Sequence, residues 1–570
     1  MASAKAAAIF IEEYGVLLEL SGANTFRIRA YTNAVRALET LESSLDELLA
    51  AGTLIQVKNI GKSVAEIIAE FAETGTAKAF EELKASVPAG VLEMLRVPGL
   101  GPRKINAIRE ELGIEDLTAL EAACNDGKLA GLKGFGIKTQ ENILKGITYI
   151  RTNQGRFRAD IARTSSQSLR EYLIQLPQTQ RIEIAGSLRR SRETVRDIDF
   201  VVSSENPDAI TEAFVSHPDV AEILVRGKTK AAVRLQTGIQ ADLRVVSDIE
   251  FPFILHHSTG SREHNIALRA RAQERGLKIN EYGIYRDEER IDCADEEAIF
   301  SALELSYIPP ELREGLGEIE AAAKNSLPKL VTPTDIRGML HLHSTYSDGA
   351  DSLEAMALAV QARGFEYMGI ADHSQTAAYA GGLSVDAVRR QWEEIDQLNE
   401  KLAPFRIFKG IESDILADGS LDYDDDLLAQ FEYVVVSVHS QFNLDRDKMT
   451  ARIIRAIEHP CSTVVGHLTG RLLLEREGYE IDIDRIIEAA AQSGVAIEIN
   501  AHPARLDIDW RHLKKAREHG VRIAVNTDAH SISGLDNLSY GIGSARKGWL
   551  SATDIVNSLN SQAIADWFRT

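Results

Sequence analysis

The sequence predicts a multidomain chain with α-helical N-terminal domains, an α+β middle part and a C-terminal distorted (βα)7 barrel. Three observations lead to this fold class. The first third of the chain is a series of helical stretches joined by glycine-containing turns. The middle part carries an Asp-Ile-Asp strand next to a glycine-serine turn. The last part alternates strand-like runs with helical stretches, and most of the 14 histidines lie beyond Asp335. A chain of 570 residues is long enough for several domains.

Composition limits the class of protein. The hydrophobic fraction of 44% is typical of globular cores. The cysteines Cys124, Cys293 and Cys461 are too few and too dispersed for a disulfide framework. Apolar runs stay shorter than about 18 residues, and Glu12 and Glu13 closely follow the first apolar residues. We therefore expect a soluble, cytoplasmic protein without a membrane partner, and we expect it to be a monomer.

Charge limits how the chain could bind nucleic acid. The net charge of −21 argues against DNA binding by bulk electrostatics. Basic residues are nevertheless concentrated between Arg189 and Arg196 and again between Arg226 and Arg234. Short basic surfaces of this kind suffice for phosphate contacts, with modest and salt-sensitive affinity.

Three similar turns recur in the helical N-terminal third. Each has a glycine, an apolar residue and a polar helix start, and each could present backbone N–H groups to a DNA phosphate without reading sequence. An ordinary turn between two helices explains any single copy equally well, whereas three copies favour a grip on DNA. The predicted DNA-binding residues are Gly61, Lys62, Gly99, Gly101, Lys104, Gly134 and Gly136.

The Asp-Ile-Asp run predicts a metal-binding strand in the middle part. Side chains alternate along a strand, so Asp197 and Asp199 point the same way and Ile198 points into the core. Asp242 follows in another strand-like run, and three carboxylates on adjacent strands can hold two hard cations about 3.5–4 Å apart. A solvated strand edge is the plainer explanation of an isolated Asp-x-Asp. The nearby glycine-serine turn and arginine pair favour the metal site.

These motifs resemble the family X DNA polymerases, the nucleotidyltransferase group that includes DNA polymerase beta, and the N-terminal turns resemble helix-hairpin-helix elements. The resemblance implies a palm and a thumb, with Asp197, Asp199 and Asp242 as catalytic metal ligands and Asp242 as the group that deprotonates the primer 3′-hydroxyl. It implies two Mg²⁺ or Mn²⁺ ions in the palm, and gapped or primed DNA and deoxynucleoside triphosphates as partners. It assigns nucleotide binding to Gly186, Ser187, Arg190, Thr259, Gly260, Ser261, Asn265 and Arg269.

Two departures from the family pattern bear on activity. His257-Ser258 stands where the family has an aromatic pair that guards against ribonucleotides, so we expect appreciable ribonucleotide insertion. Ile67 stands at the position of the family's lyase lysine. Because a Schiff base requires an amine, strong deoxyribose-phosphate lyase activity is not predicted.

The C-terminal part predicts parallel strands with crossover helices, such as 352–363 and 386–401. In a βα barrel the strand ends gather on one face, and here they carry imidazoles and carboxylates, which suit Zn²⁺ or Mn²⁺. His459, His502, His512 and His519 are expected to be structural instead. The seven strand-like runs are 339–343, 367–373, 405–412, 431–439, 463–467, 495–500 and 522–530.

This part resembles the PHP (polymerase and histidinol phosphatase) domain. The resemblance implies up to three Mn²⁺ or Zn²⁺ ions, with Glu412 bridging two of them, and it places Arg505 and Asn500 near a substrate phosphate. A PHP domain joined to a family X palm resembles the bacterial family X polymerases, in which it is a 3′–5′ exonuclease. The matched metal positions are His341, His343, Asp348, His373, Glu412, His439, His467, Asp528 and His530.

We therefore predict a polymerase that fills short gaps in DNA repair, such as base excision repair, joined to a Mn²⁺-dependent 3′–5′ exonuclease. A small-molecule phosphoesterase with a vestigial palm and a non-catalytic scaffold that binds DNA ends are the alternatives. The predicted domains are a helical DNA-binding domain (1–80), a helix-hairpin-helix fingers-like domain (81–150), the palm (151–248), the thumb (249–318), a linker (319–335) and the PHP domain (336–570).

Overall fold

The structure is a computed structural model that describes residues 4–39, 41 and 45–569. The chain divides into two compact units, Met1–Gln154 and Gly155–Thr570. Seven residues of the first predicted domain and the last residue of the PHP domain lie outside the described ones. Within the described residues, no helix combines the length and the apolar character needed to cross a membrane.

The first unit consists of helices around one apolar core. Phe10 of the first helix stacks on Phe71 with ring centroids 4.2 Å apart, and Tyr14 stacks on Tyr31 at 4.8 Å. The helices are α1 (Ala4–Leu20), α2 (Thr25–Glu39), α3 (Leu45–Ala50), α4 (Lys62–Thr74), α5 (Lys78–Ser86), α6 (Ala89–Met94), α7 (Pro102–Leu112), α8 (Leu117–Asn125) and α9 (Ile137–Asn153), with 3₁₀ turns at Leu54–Gln56 and Leu129–Gly131.

The second unit begins with a mixed sheet. Its elements are β1 (Phe157–Arg158), α10 (Ala159–Ile174), β2 (Arg181–Ile184), α11 (Gly186–Arg189), β3 (Thr194–Val195), β4 (Asp197–Ser203), α12 (Pro207–Val215), β5 (Val220–Arg226), β6 (Lys230–Leu235) and β7 (Gln240–Val246). Five strands form one sheet in the order β2-β4-β7-β6-β5. The β4–β7 pair is parallel and the other pairs are antiparallel, so the two strands that carry the predicted carboxylates are neighbours.

Helices and a small antiparallel sheet of order β10-β9-β8 follow. The elements are α13 (Phe251–Thr259), α14 (Arg262–Glu274), β8 (Leu277–Asn280), β9 (Gly283–Arg286), β10 (Glu289–Ile291), α15 (Glu296–Ala302), a 3₁₀ turn (Pro310–Leu312) and α16 (Glu318–Ala323). Arg313 and Glu318 are fully buried. Ile319 and Ala322 are also buried, so the predicted linker (319–335) is packed against its neighbours at its beginning.

The C-terminal part is a parallel barrel whose seven strands follow one another in sequence order, β11 to β17. A parallel bridge between Leu342 and Ala529 joins the ends of the first and last strands, so the barrel is nearly closed. Its elements are β11 (Gly338–Leu342), α17 (Leu353–Ala362), β12 (Tyr367–Ile370), α18 (Val385–Leu402), β13 (Arg406–Asp414), α19 (Asp425–Leu428), β14 (Tyr433–Ser437), α20 (Arg446–Ile457), β15 (Val464–Val465), α21 (Ile483–Ser493), β16 (Ala496–Asn500), α22 (Leu513–Glu518), β17 (Ile523–Asn526), α23 (Leu538–Lys547) and α24 (Ser561–Trp567), with 3₁₀ turns at Pro333–Asp335, Ala378–Ala380, Trp510–His512, Ile532–Asn537, Ala552–Asp554 and Val556–Ser558.

The predicted fold class is confirmed in its three parts: helical N-terminal domains, a mixed α+β middle part and a seven-stranded distorted barrel. The barrel has two apolar layers. Leu340, Tyr367, Phe408 and Tyr433 pack together in its interior, while a larger cluster fills the space between strands and surrounding helices. This double packing fixes the strand ends, and thereby the side chains at the rim.

Candidate active sites

The three predicted carboxylates of the palm lie on the adjacent parallel strands β4 and β7. Asp199 is in register with Asp242, and Asp197 is in register with Gln240, which donates to Asp242 at 2.8 Å. Burial, reinforced by the charges of Asp197 and Asp242, raises the pKa of Asp199 to about 7, although Arg190 works the other way. Burial and the charge of Asp242 also raise the pKa of Asp197. Because these carboxylates repel one another, a bound proton or a cation is needed to stabilise the group.

The turn before these strands is shaped around Asp199. Gly186 has a positive φ of 64°, and a Cβ at this position would lie 2.1 Å from Oδ2 of Asp199. The Ala185 N–H donates to the Asp199 carbonyl at 2.8 Å, which ties α11 to β4. Gly186 and Ser187 thus line the same cleft as Asp197 and Asp199, a cavity of about 730 Å³.

Basic side chains form one wall of this cleft. Arg190, Arg192 and Arg196 line it. Arg190 donates from Nε to Glu314 at 3.0 Å and from Nη1 to the Thr259 carbonyl. A cleft with cation ligands at its floor and arginines on its wall is suited to a polyphosphate.

The Thr259-Gly260-Ser261 turn lies next to Arg190, and its three residues differ in their contacts. Gly260 and Ser261 line the cleft, and Ser261 Oγ caps α14 by accepting from the His264 N–H at 3.2 Å. Thr259 is fully buried, and its hydroxyl donates to the Leu255 carbonyl and accepts from Arg189. Its side chain therefore packs beneath the cleft surface, and the part of Thr259 in nucleotide binding stays a prediction.

Asn265 and Arg269 also line the cleft, from α14. Asn265 donates to the carbonyl of His257 at 2.9 Å, and Arg269 Nη2 lies 3.0 Å from His257 Nε2. His257 and Ser258, which replace the family's aromatic pair, lie in the same cleft. The structure therefore brings together two residues predicted to bind the nucleotide, Asn265 and Arg269, and the His257-Ser258 pair that bears on sugar choice.

The N-terminal turns share one backbone conformation. The residue that opens each turn has a positive φ: 72° at Asn59, 76° at Gly99 and 87° at Gly134. The middle residues Ile60, Leu100 and Phe135 are buried. The closing residues Gly61, Gly101 and Gly136 are the N-caps of α4, α7 and α9.

The cap glycines leave helix ends that no side chain within the described residues caps. A Cβ on Gly61, Gly101 or Gly136 would meet nothing within 4 Å among those residues. These glycines therefore leave room for another molecule at each helix N-terminus. Lys62 begins α4 and is largely exposed, whereas Lys104 folds back to the Gly99 carbonyl at 2.9 Å. Ile67, at the expected lyase position, is buried and offers no amine.

The rim of the barrel brings together the nine predicted metal-binding side chains. His341 and His343 are fully buried at the end of β11, and their Nε2 atoms lie 3.3 Å from Glu412 and 3.1 Å from Asp528. Three overlapping clusters of ligand atoms result, each within 4.8 Å: His343, Asp348, His373 and His530; His341, His343 and Asp528; His373, Glu412 and His439. His467 Nε2 lies 3.0 Å from Glu412, which thus touches several imidazoles.

The donor set fits bound metal ions. The buried Nε2 atoms of His341 and His343 lie near carboxylate oxygens, but they make no hydrogen bond of good geometry to another described residue. Such an arrangement is costly unless a ligand or cation satisfies them. Burial lowers the pKa of His343 to about 3 and so favours the neutral imidazole, the form that binds metal. Asn500 donates to Asp528 at 3.0 Å, and Arg505 lies 3.9 Å from it, so both adjoin the rim.

Sequence reasoning missed the carboxylates behind the rim. Glu498, fully buried on β16, lies 2.6 Å from His341 Nδ1 and accepts from the His467 N–H at 2.7 Å. Asp414, two residues beyond Glu412, lies 2.6 Å from His439 Nδ1. Such partners fix the tautomer and the orientation of a ligating imidazole. Glu498 is flanked by Val495, Ala496, Ile497 and Ile499, and a glutamate inside an apolar strand is the sequence signal that could have revealed it.

Comparison with protein families gives four matches. A helix-hairpin-helix domain model matches residues 3–77, and a SAM-like helix-hairpin-helix tandem model matches 91–147. A DNA polymerase beta thumb model matches 254–314, and a PHP domain model matches 339–502.

Individual proteins show similarity over very different lengths. DNA polymerase/3′–5′ exonuclease PolX of Bacillus subtilis is 40% identical over 560 residues, 98% of this chain and 97% of that protein. A probable phosphatase of Thermoanaerobacter is 33% identical over 143 residues, 23% of this chain and 56% of that protein. Leishmania infantum polymerase beta, in a ternary primer–template complex, is 20% identical and covers 40% of this chain and 98% of that one. Its TM-score of 0.27 is too low to indicate a shared fold.

Proposed function

Since this chain belongs to the bacterial family X DNA polymerases with a C-terminal PHP domain, we propose that it extends DNA primers in the palm and shortens them from the 3′ end in the barrel. The observation that carries the polymerase assignment is the in-register pair Asp199 and Asp242, with Asp197 on the same strand and the Gly186 turn against it. The similarity over nearly the whole chain supports both activities.

In the palm, Asp197, Asp199 and Asp242 would hold two Mg²⁺ or Mn²⁺ ions, which supply the positive charge that phosphoryl transfer requires. Asp242 would accept the proton of the primer 3′-hydroxyl. Ser187 and Arg190 would contact the β and γ phosphates, with Gly186, Gly260 and Ser261 allowing close approach. Asn265 and Arg269 would face the nascent base pair and the template.

The N-terminal unit would hold the DNA. Gly61, Gly101 and Gly136 leave open space in front of helix N-termini, which favour a phosphate through their N–H groups. Gly99 and Gly134 supply the turn conformation, and Lys62 and Lys104 would add charge. Since these contacts to phosphate would be electrostatic, this grip should weaken as salt rises, and the net charge of −21 should keep the affinity modest.

In the barrel, the nine rim side chains would hold up to three Mn²⁺ or Zn²⁺ ions, with Glu412 bridging two of them. Ions there would supply charge to a scissile phosphodiester and activate water at neutral pH. Arg505 and Asn500 would contact the phosphate, and Glu498 and Asp414 would hold the imidazoles in place.

Gap filling in DNA repair is the role we propose for the combined activities, with gapped DNA as substrate. The local similarity to phosphatases favours one alternative, in which the barrel hydrolyses a small phosphate monoester. Turnover of a phosphate monoester that exceeds primer shortening would support it. The monomeric state, the cytoplasmic location and appreciable ribonucleotide insertion stay predictions.

One assay tests both activities. A 5′-labelled primer on gapped DNA is incubated with Mg²⁺ or Mn²⁺, with and without deoxynucleoside triphosphates. Lengthening reports the palm and shortening reports the barrel. Asp242→Ala should reduce lengthening by several orders of magnitude, because the palm loses a cation ligand and a base, and should leave shortening intact. Lengthening at the wild-type rate would show that the palm assignment is wrong.

A further inference from the structure

Lys547 ends helix α23 of the barrel, yet its completely buried side chain contacts residues outside the barrel. Its Nζ donates to the carbonyl oxygen of Arg190 at 2.9 Å and forms an ion pair with Glu314. The ammonium also lies over the Trp510 ring, 4.5 Å from the centroid. A barrel residue therefore contacts the palm at Arg190, which lines the cleft.

Helix α23 approaches this part of the palm closely. A Cβ on Gly543 would lie 3.2 Å from the Cβ of Ser191, so a glycine is favoured at that point of the helix. Two residues further along the palm loop, Glu193 lies 3.8 Å from Arg471 and 3.8 Å from Arg511 of the barrel. The segment that follows α11 is thus held by the barrel at several points, independently of Lys547.

Glu314 connects Lys547 to the side chain of Arg190. Arg190 donates from Nε to Oε1 of Glu314 at 3.0 Å, and Arg192 Nη1 lies 3.5 Å from Oε2. Lys547 therefore holds the Arg190 backbone directly and its guanidinium through Glu314. Without the lysine, the carboxylate would pair with the arginines alone and would compete more strongly with a phosphate for them.

Stability alone is a weak explanation for this buried charge. Burial lowers the pKa of Lys547 to about 8 even though Glu314 stabilises its charged form. Apolar residues that replace a buried ion pair are often neutral or stabilising. The buried contact of Lys547 is better explained by the orientation that it gives to Arg190.

We propose that Lys547 is a positioning residue for polymerisation, which holds Arg190 in the orientation that binds the triphosphate of the incoming nucleotide. This inference rests on the proposed function, in which Arg190 contacts the β and γ phosphates. In this proposal the barrel contributes to nucleotide binding through Lys547, whereas its predicted metal ligands do not.

Nucleotide affinity on the full-length protein tests the proposal. The protein is bound to a primer–template with a dideoxy terminus and a terminal phosphorothioate, and the dissociation constant of the next nucleotide is measured by titration calorimetry. Lys547→Met should raise that constant about tenfold, the effect of one lost hydrogen bond to a charged group. The affinity for DNA should not change, and Lys547→Arg should lose less nucleotide affinity than Lys547→Met.

Arg546→Met is the matched control. Arg546 is the neighbouring residue of α23 and forms a comparable ion pair with Glu311 at 2.7 Å, but it bonds to Glu311 and the Val331 carbonyl rather than to Arg190. Its nucleotide dissociation constant should stay at the wild-type value. An equal loss in Arg546→Met, or no loss in Lys547→Met, would overturn the proposal.

A double-mutant comparison separates positioning from a general structural effect. In an Arg190→Ala background, Lys547→Met should change nucleotide affinity by less than about twofold, since residues that act through one another are not additive. The same tenfold loss in both backgrounds would contradict the proposal. Primer shortening by the Lys547→Met variant shows that its barrel is folded. If that variant no longer shortens primers, Lys547→Gln is tested in its place. A wild-type protein that neither binds nucleotide nor extends a primer would instead contradict the proposed function.

Discussion

Gly186 is the residue whose absence of a side chain matters most to the palm. Its φ of 64° disfavours other residues, and a Cβ would lie 2.1 Å from the Asp199 carboxylate. Conformation and close approach therefore both require glycine here. The Asp199 carboxylate packs against the Gly186 turn, which we propose binds phosphate, so a side chain at position 186 would displace Asp199.

Gly186→Ala should reduce primer extension by at least about 100-fold, because a shift of about 1 Å in a reacting group has that effect. Gly238→Ala is the control, since Gly238 also has a positive φ, 84°, but a Cβ there would only touch Phe157 at 3.7 Å. Steady-state extension of a labelled primer measures both variants. Equal losses would show that backbone strain, and not displacement of Asp199, is responsible.

The raised pKa of Asp199, about 7, predicts that metal binding in the palm depends on pH. A raised pKa means that the carboxyl keeps its proton at a pH where an ordinary aspartate has lost it, so the proton competes with the cation. The Mg²⁺ concentration for half-maximal extension should rise about tenfold for each pH unit below about 7 and level off above about pH 8. A constant requirement between pH 6 and 8 would contradict this assignment.

Strand β16 shows how one element serves two layers of the barrel. Ile497 and Ile499 pack in the outer apolar cluster, while Glu498 and Asn500, which alternate with them, point toward the rim. Glu498 contacts His341 and His467, and Asn500 donates to Asp528 at 3.0 Å. The strand therefore orients ligands that belong to three other strands or their ends.

Glu498→Gln should lower metal content and primer shortening by about 10- to 100-fold, the usual effect of losing a carboxylate behind a ligating histidine. Glu432→Gln is the control, because Glu432 precedes β14 at the other end of the strands and accepts from Lys409 N–H at 2.8 Å. Elemental analysis against protein concentration measures the metal. Full metal content in Glu498→Gln would show that this carboxylate does not orient the ligands.

At the scale of the whole molecule, the palm and the barrel use separate sets of ligands within one compact unit, Gly155–Thr570. The proposed palm ligands lie on β4 and β7, and the clustered imidazoles lie at the ends of barrel strands. Loss of a ligand at one metal site should therefore leave the activity of the other site intact, even though Lys547 connects the barrel to the nucleotide cleft.

His341→Ala and His439→Ala should stop primer shortening and should leave extension within about twofold of wild type, because neither residue contacts the palm carboxylates. Glu412→Ala should be at least as severe for shortening, since one carboxylate would serve two cations. Bound transition metal should fall in all three variants. If the variants keep full metal and full 3′–5′ digestion, the rim cluster does not form the nuclease site.

The sequence by itself determined the three-part architecture, and it predicted most of the residues that the structure brings together in the palm cleft and at the barrel rim. Strand periodicity placed Asp197 and Asp199 on one face, and the strand-end histidines predicted a rim because parallel strands must end together. These signals are local, so one sequence suffices to read them. The similar turns of the N-terminal unit could be recognised for the same reason.

Only the tertiary structure decided which residues support those ligands. Glu498 lies 157 positions from His341, and Lys547 lies 357 positions from Arg190. No periodic pattern relates such pairs. The buried positions of Thr259 and Glu318 also depend on distant partners, because a buried polar group is stable only where another part of the chain satisfies it. Ligands follow from the pattern of each strand, whereas their supports follow from how the strands and domains pack.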